Sequence, residues 1–261
     1  MRSNLEEALL SGAFLFSLLL LGSVVTYPLL AGDCQPSSDI QKAEVAAVID
    51  GDTLRLKDGR HVRLIGLDTP ELGHQGSADM AGARGAREGL RQLIKQTKGV
   101  IFLQTGNQPK DRYGRLLAHV YSAEQKNLNR RLLEMGLSYQ IAVPPNLRHL
   151  ACYLDAEALA RRAGMGLWQG SPRDAQSLRE DETGFRLLQG RVTRIGSSRS
   201  SLWLNLQGGL ALRITWDDWS GFELSDPKAL QGRRLEVRGW LYRVKGEPRI
   251  RIRHPSAIRW L

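Results

Sequence analysis

Three short stretches of this 261-residue sequence carry side chains suited to acid–base, cation-binding and anion-binding work: Asp50-Gly51-Asp52-Thr53, Asp68-Thr69-Pro70-Glu71 and Arg112-Tyr113-Gly114-Arg115, with Arg63 between the first two. Each alone has a plainer reading. Asp-Gly between alternating apolar residues is what a tight hairpin uses, and Arg-Tyr-Gly-Arg is an ordinary polar turn into a strand. Their joint value depends on convergence, since carboxylates brought together hold a cation and guanidiniums brought together hold an anion.

The elements that would position them follow from apolar patterning. Strands are expected at 42–49, 53–57 and 61–67, rich in Val, Leu and Ile and separated by the Asp50-Gly51 and Asp58-Gly59 turn signals, and again at 100–104 and 115–121. Helical spacing covers 77–97, weakened by Gly82, Gly85 and Gly89, and then 128–135 and 147–162, with Pro144-Pro145-Asn146 as a stop between them. Five strands and three helices thus precede Trp168 and put the acidic and basic stretches at strand ends. Residues 170–182, with Ser171-Pro172 and alternating charge, read as a linker. Further strands are expected at 187–195, 201–206, 210–216, 234–244 and 249–253, with a hairpin turn at Lys245-Gly246-Glu247-Pro248: a second, small all-β unit.

Over about residues 42–168 the chain resembles the staphylococcal nuclease (thermonuclease) family, through Val48-Ile49-Asp50-Gly51-Asp52-Thr53, Arg63-Leu64-Ile65-Gly66-Leu67-Asp68-Thr69-Pro70-Glu71 and Asp111-Arg112-Tyr113-Gly114-Arg115. The resemblance implies a mainly β fold with α: a five-stranded OB-type barrel with three helices, here followed by an OB-like β domain. It also implies a calcium-dependent endonuclease that hydrolyses phosphodiester bonds of DNA and RNA with little sequence specificity. By motif match, Asp52 and Asp68 would be metal carboxylates and Thr69 would add its carbonyl, while Arg63 and Arg115 would hold the scissile phosphate and Glu71 would be the general base. Elementary chemistry agrees with those roles. A phosphodiester gains charge as water attacks, so its hydrolysis needs cations at the equatorial oxygens and a base beside the water. Arginine donates two hydrogen bonds in a plane and stays charged. Calcium takes oxygen ligands, and magnesium or manganese would accept the same ligand types.

Family members place tyrosines after the second helix to pack on the nucleotide. This chain reads Ser138-Tyr139-Gln140-Ile141-Ala142-Val143 there, which leaves Tyr139 and Tyr113 as candidates for substrate contact. Arg112 is a further candidate, a solvent-exposed turn being its plainer role. His74, in the short loop after Glu71, and His61, His119, His149 and His254 have no spaced partner and read as solvated or structural.

Composition excludes disorder, collagen and coiled coil, and a net charge of +10 suggests a polyanionic partner. Residues 185–261 hold 15 Lys and Arg against 6 Asp and Glu. Arg249, Arg251 and Arg253 alternate along one strand there; with Arg238 and Arg243 they could neutralise phosphates. Trp203, Trp216, Trp219 and Trp240 offer stacking surfaces, packing in a core being the plainer role of each. Residues 8–32 carry no charge and predict a signal peptide or a membrane anchor. The expected organisation is therefore 1–32 export segment, 33–41 linker, 42–169 nuclease domain, 170–184 linker and 185–261 OB-like domain. The chain would be exported, to the periplasm, the medium or the outer side of a membrane, as a monomer. Outside the cytoplasm two cysteines tend to pair, so Cys34 and Cys152 are expected to form a disulfide, with two free thiols as the alternative. The rival function is a non-catalytic nucleic-acid-binding protein on two OB-like barrels. The acidic set argues against it, because carboxylates repel a polyanion unless a cation intervenes.

Overall fold

The computed structural model describes residues 34–261 except Ser38, 74–77, Ser171 and 224–225. The export segment and His74 lie outside the described residues. Among those described, no helix is long and apolar enough to cross a membrane.

Alternating apolar residues build a closed barrel from β1 (Gln41–Val48), β2 (Thr53–Leu56), β3 (His61–Leu64), β5 (Val100–Lys110) and β6 (Leu116–Tyr121). The order round the barrel is β1-β2-β3-β6-β5, antiparallel except where β3 runs parallel to β6. Leu54, Leu56, Val62, Leu64, Ile101, Leu103, Ala118 and Val120 point inward and are buried together. Each such leucine contributes about 1.5–3 kcal/mol relative to exposure. Outside the barrel, β4 (Leu67–Asp68) pairs with β7 (Tyr139–Gln140), and three helices cover the core: α1 (Ala83–Gln96), α2 (Leu128–Glu134) and α3 (Leu150–Arg162).

Two expected boundaries move. Helix α1 starts at Ala83 rather than near 77, because Gly82 sits at φ +89°, a conformation that interrupts a helix. Strand β5 continues to Lys110, its last residues being polar and exposed, which hides them from an apolar-pattern reading. Cys34 and Cys152 form a disulfide with Cα atoms 5.9 Å apart, tying the chain ahead of β1 to α3. It closes a loop of 118 residues, which in the chain-entropy model stabilises by roughly 4–5 kcal/mol. His119 is buried with Nδ1 2.8 Å from the Tyr153 hydroxyl, and burial pushes its pKa down to about 3, so it is a neutral core residue.

The connection between the barrels is structured. Here β8 (Arg173–Asp174) pairs with β9 (Gly184–Ser197), and Ala175 enters the second core. Arg173 donates to both oxygens of the buried Glu182 carboxylate, at 3.1 and 3.0 Å, and Arg186 adds a third bond; led by Arg173, they hold that carboxyl down to about 2.

The second barrel comprises β9, β10 (Ser201–Leu206), β11 (Ala211–Thr215), β12 (Arg234–Val244) and β13 (Glu247–Ile252), with the short helix α4 (Trp216–Trp219) after β11 and β14 (Ile258–Trp260) on the edge of β12. Its third and fifth strands, β11 and β13, run parallel, and β12 closes onto β9. The order is therefore that of the first barrel, and both are OB-type.

Docking of the two barrels uses the outward row of β12. Arg238 is buried and reaches both Glu157 oxygens on α3 at 2.7 and 2.6 Å and the Gln140 carbonyl at 3.0 Å. Two residues earlier, Glu236 receives a bidentate pair from Arg161 at 2.7 and 2.5 Å. Arg238 is thus an internal tie rather than a phosphate ligand. Arg243 likewise turns its two terminal nitrogens to the Gly246 and Arg179 carbonyls. Beside the ion pairs, Tyr139 stacks on Phe185 at 5.6 Å and meets Trp168 edge-on at 5.3 Å.

Removing one member of a buried pair strands the other. Arg238→Ala is expected to lower unfolding free energy by about 3–5 kcal/mol. The double variant Glu157→Leu with Arg238→Met should recover only part of it, because the buried Gln140 amide and carbonyl still lose their partners; chemical denaturation of both measures the difference.

Candidate active site

The residues singled out by chemistry converge at one end of the first barrel. Arg63 lies on β3, in register with Thr53 on β2 and Leu117 on β6. Its guanidinium bridges two carboxylates, with Nη1 2.8 Å from Asp52 Oδ2 and Nη2 2.6 Å from Asp68 Oδ1. Asp52 is held from behind: its Oδ2 accepts the Thr69 amide at 3.0 Å and the Thr69 hydroxyl at 2.8 Å, and its own amide donates to Asp50 at 3.0 Å. This last bond is the hairpin reading of Asp50-Gly51, so turn and site coexist. Gly51 makes the arrangement sterically feasible, because a Cβ there would stand 2.6 Å from the Ala86 Cβ of α1 and 2.8 Å from the Thr69 hydroxyl oxygen.

The electrostatics are unbalanced toward acid. Asp50, Asp52, Asp68 and Glu71 all act on Arg63; its burial works against the charge, and together they more than restore it. Burial raises the Asp68 carboxyl, with Arg63 opposing and the neighbouring acids adding to the rise; burial and then Asp52 raise Asp50 in the same way. Asp68 Oδ2 is buried without a hydrogen-bond partner among the described residues. Oxygen donors in negative excess around one guanidinium, one of them unused, fit a hard divalent cation. Asp52, Asp68 and the Thr69 backbone are the residues present to hold it; among the described residues no cluster of three or more His, Cys, Asp or Glu forms a self-sufficient metal cage.

Arg115, the residue just before β6, faces the same cleft. Asp111 positions it, accepting its amide at 3.0 Å and its Nε at 2.7 Å, and the same carboxylate accepts the Tyr113 amide. Asp111 appears in the motif, and its four-residue spacing to Arg115 on a turn was the available signal of that positioning. Tyr113 is 68% exposed, with the Arg112 guanidinium 4.7 Å over its ring. Arg63, Asp68, Glu71, Arg112, Tyr113 and Arg115 all line one cleft of about 810 Å³. Tyr139 is not among its lining residues; it is spent on Phe185 and Trp168. The sequence did not reveal that the second barrel completes the cleft, through Trp240, Tyr242, Arg251 and Arg253. Trp203 lies elsewhere, flanked by Arg213 and Arg249 at 5.9 and 5.2 Å.

An OB-type barrel with a carboxylate pair bridged by arginine, and a second arginine across the cleft, defines a class of β-barrel protein with a charged cleft at one barrel end. Comparison with known proteins gives the family. The family model described as staphylococcal nuclease homologue matches residues 61–170. The chain is 31% identical over 128 residues to a thermonuclease of Staphylococcus intermedius, covering 48% of this chain and 74% of that one. It is 30% identical over 139 residues to the succinoglycan biosynthesis protein ExoI of Rhizobium meliloti, covering 51% and 68%, and 28% identical over 152 residues to an uncharacterized endonuclease of Escherichia coli, covering 56% and 84%. The chain belongs to the staphylococcal nuclease family.

The close approach at Gly51 is open to test. Gly51→Ala should destabilise by about 1–3 kcal/mol through overpacking against α1, and Ala86→Gly in the same chain should restore part of it. Thermal unfolding of the two variants reads the effect.

Proposed function

We propose that this protein is an exported endonuclease that uses a divalent cation, calcium by its family resemblance, to hydrolyse phosphodiester bonds of DNA and RNA with little sequence specificity. The observation that carries the proposal is the placement of Arg63 against Asp52 and Asp68 on a cleft shared with Glu71 and Arg115. The relatives named thermonuclease and endonuclease support it.

Arg63 and Arg115 would bind the scissile phosphate from two sides. Asp111 engages only Nε and the backbone amide of Arg115, so among the described residues the two terminal nitrogens remain for an anion. Glu71, within electrostatic reach of both Arg63 and Asp68, would orient or deprotonate the attacking water. Asp52, Asp68 and the Thr69 carbonyl would hold the cation, which when bound lends positive charge to a phosphate oxygen. Both arginines act on the phosphodiester backbone, and backbone contacts carry no sequence information. Export is supported by the uncharged segment 8–32 and by the Cys34–Cys152 disulfide, a bond typical of oxidising compartments.

Cleavage of single-stranded DNA and RNA by the full chain should stop on chelation and return with calcium. Glu71→Gln should lower turnover by about 10²-fold or more while substrate binding survives. Arg63→Lys and Arg115→Lys should also lose activity, because an ammonium cannot make the bidentate contact. Undiminished cleavage in chelator, or near-normal rates for all three variants, would defeat the assignment.

A further inference from the structure

Strand β12 does two jobs with one row of side chains. Leu235, Val237 and Leu241 face the second core, so Glu236, Arg238, Trp240 and Tyr242 face outward. The first two are consumed by the ion pairs with α3. The same row, continuing past the docking contact, delivers Trp240 and Tyr242 into the cleft that holds Arg63, Asp68 and Glu71.

Trp240 is 44% exposed, which is unusual for so large an apolar group unless its face is used. It is nevertheless fixed, its ring standing edge-on to Phe185 at 5.5 Å and 76°. Phe185 in turn stacks on Tyr139. Tyr139, one of the two first-barrel tyrosines that could have met a nucleotide, is therefore held in packing, and Trp240 of the second barrel joins Tyr113 in the cleft. Trp240 also lines a recess of about 180 Å³ with Arg63 and Arg115, which brings it next to the two phosphate-binding candidates.

Cations accompany it. Leu241 pairs with Ile250 on β13, so the next residue, Arg251, lies beside Trp240. Arg251 has one long contact, 3.4 Å to Asp218, and Arg253 is exposed with no hydrogen bond or ion pair among the described residues. Both line the cleft. In all, five arginines and three carboxylates line it, so its balance favours an anion even before a divalent cation binds.

We propose that the second barrel forms a subsite for a single nucleic-acid strand: Trp240 stacks on a nucleobase next to the scissile phosphate, and Arg251 with Arg253 holds a neighbouring backbone phosphate. The proposal rests on reading the cleft as a phosphodiester-cleaving site. An unpaired base offers its face to an indole, and every base has such a face, so the subsite selects single strands over duplexes without reading sequence. Stacking on a positioned ring beside arginines is how sequence-tolerant single-strand grooves obtain affinity.

The test is binding of the full chain carrying Glu71→Gln to a labelled oligothymidylate and to a duplex of equal length, followed by fluorescence anisotropy. Adding Trp240→Leu is expected to weaken single-strand binding about 10-fold, with Trp240→Phe retaining most of the affinity because a phenyl ring still stacks. Duplex affinity should change far less. Replacing both Arg251 and Arg253 by Ala should flatten the salt dependence of single-strand binding by about one phosphate contact. Equal single-strand affinity with and without Trp240, equal losses on single strand and duplex, or a loss shared in full by Trp240→Phe would overturn the subsite. Cleavage by the parent chain is the separate test of the nuclease reading: a parent that binds through Trp240 but does not cleave sinks that reading, and with it the place of the base beside a scissile phosphate, while the single-strand contact itself stands.

Discussion

Everything at the site depends on one guanidinium holding two buried carboxylates apart and together. Asp52 and Asp68 come from different strand ends and would repel each other in a medium of low dielectric. Arg63 occupies the position between them from a third strand. That geometry requires β2 and β3 to be in register, β4 to leave the barrel where it does, and the Asp50–Asp52 turn to press against Thr69. A closed barrel is well suited to fix such relations, since each strand is held on both edges and cannot slide without disrupting two ladders.

The second barrel is coupled to the same cluster through the backbone. Arg238 binds the Gln140 carbonyl, Gln140 donates its amide to Glu157, and β7, which contains Gln140, pairs with the β4 strand that carries Asp68. The docking contact therefore lies one strand away from the acid it helps to place. Paired charges are an expensive way to bury an interface, because desolvation offsets much of their attraction. Their directionality compensates: the bidentate Arg161–Glu236 pair and the Arg238 Nη1 shared between the two Glu157 oxygens define an orientation that an oily patch would leave loose. That orientation brings Trp240 to the cleft.

The candidate residues could be picked out in the sequence because each sits at the end of a strand or in a turn, and because three such stretches occur together in the order the family resemblance expects. Asp50-Gly51 and Asp58-Gly59 mark turns wherever they occur between alternating apolar runs, and the barrel strands follow from them. Docking was not legible. Alternation along β12 tells that Arg238 and Trp240 share a face, but not that half of that face meets α3 and the other half opens onto a cleft. Hence Arg238, read as a phosphate ligand, proved a buried tie, and Tyr139, read as a nucleotide contact, proved a packing ring. The 170–182 stretch looked like a free connection for the same reason: the pairing of β8 with β9 and the grip of Arg173 and Arg186 on Glu182 are contacts with residues yet to come.

The order in which the two barrels occur along the chain gives the docking charges a role during biogenesis. As the polypeptide emerges from a ribosome or an export channel, the first barrel has all its strands by Tyr121 and its last helix by Arg162, before any of β9 to β13 exists. Its unfinished face then presents Glu157 and Arg161, which water solvates readily, around only a few exposed rings. A waiting surface of that kind has little tendency to stick to its neighbours, whereas a hydrophobic one would recruit other nascent copies. Charged docking residues are thus ones that water can solvate in a half-made chain, with partners that come only from its second half.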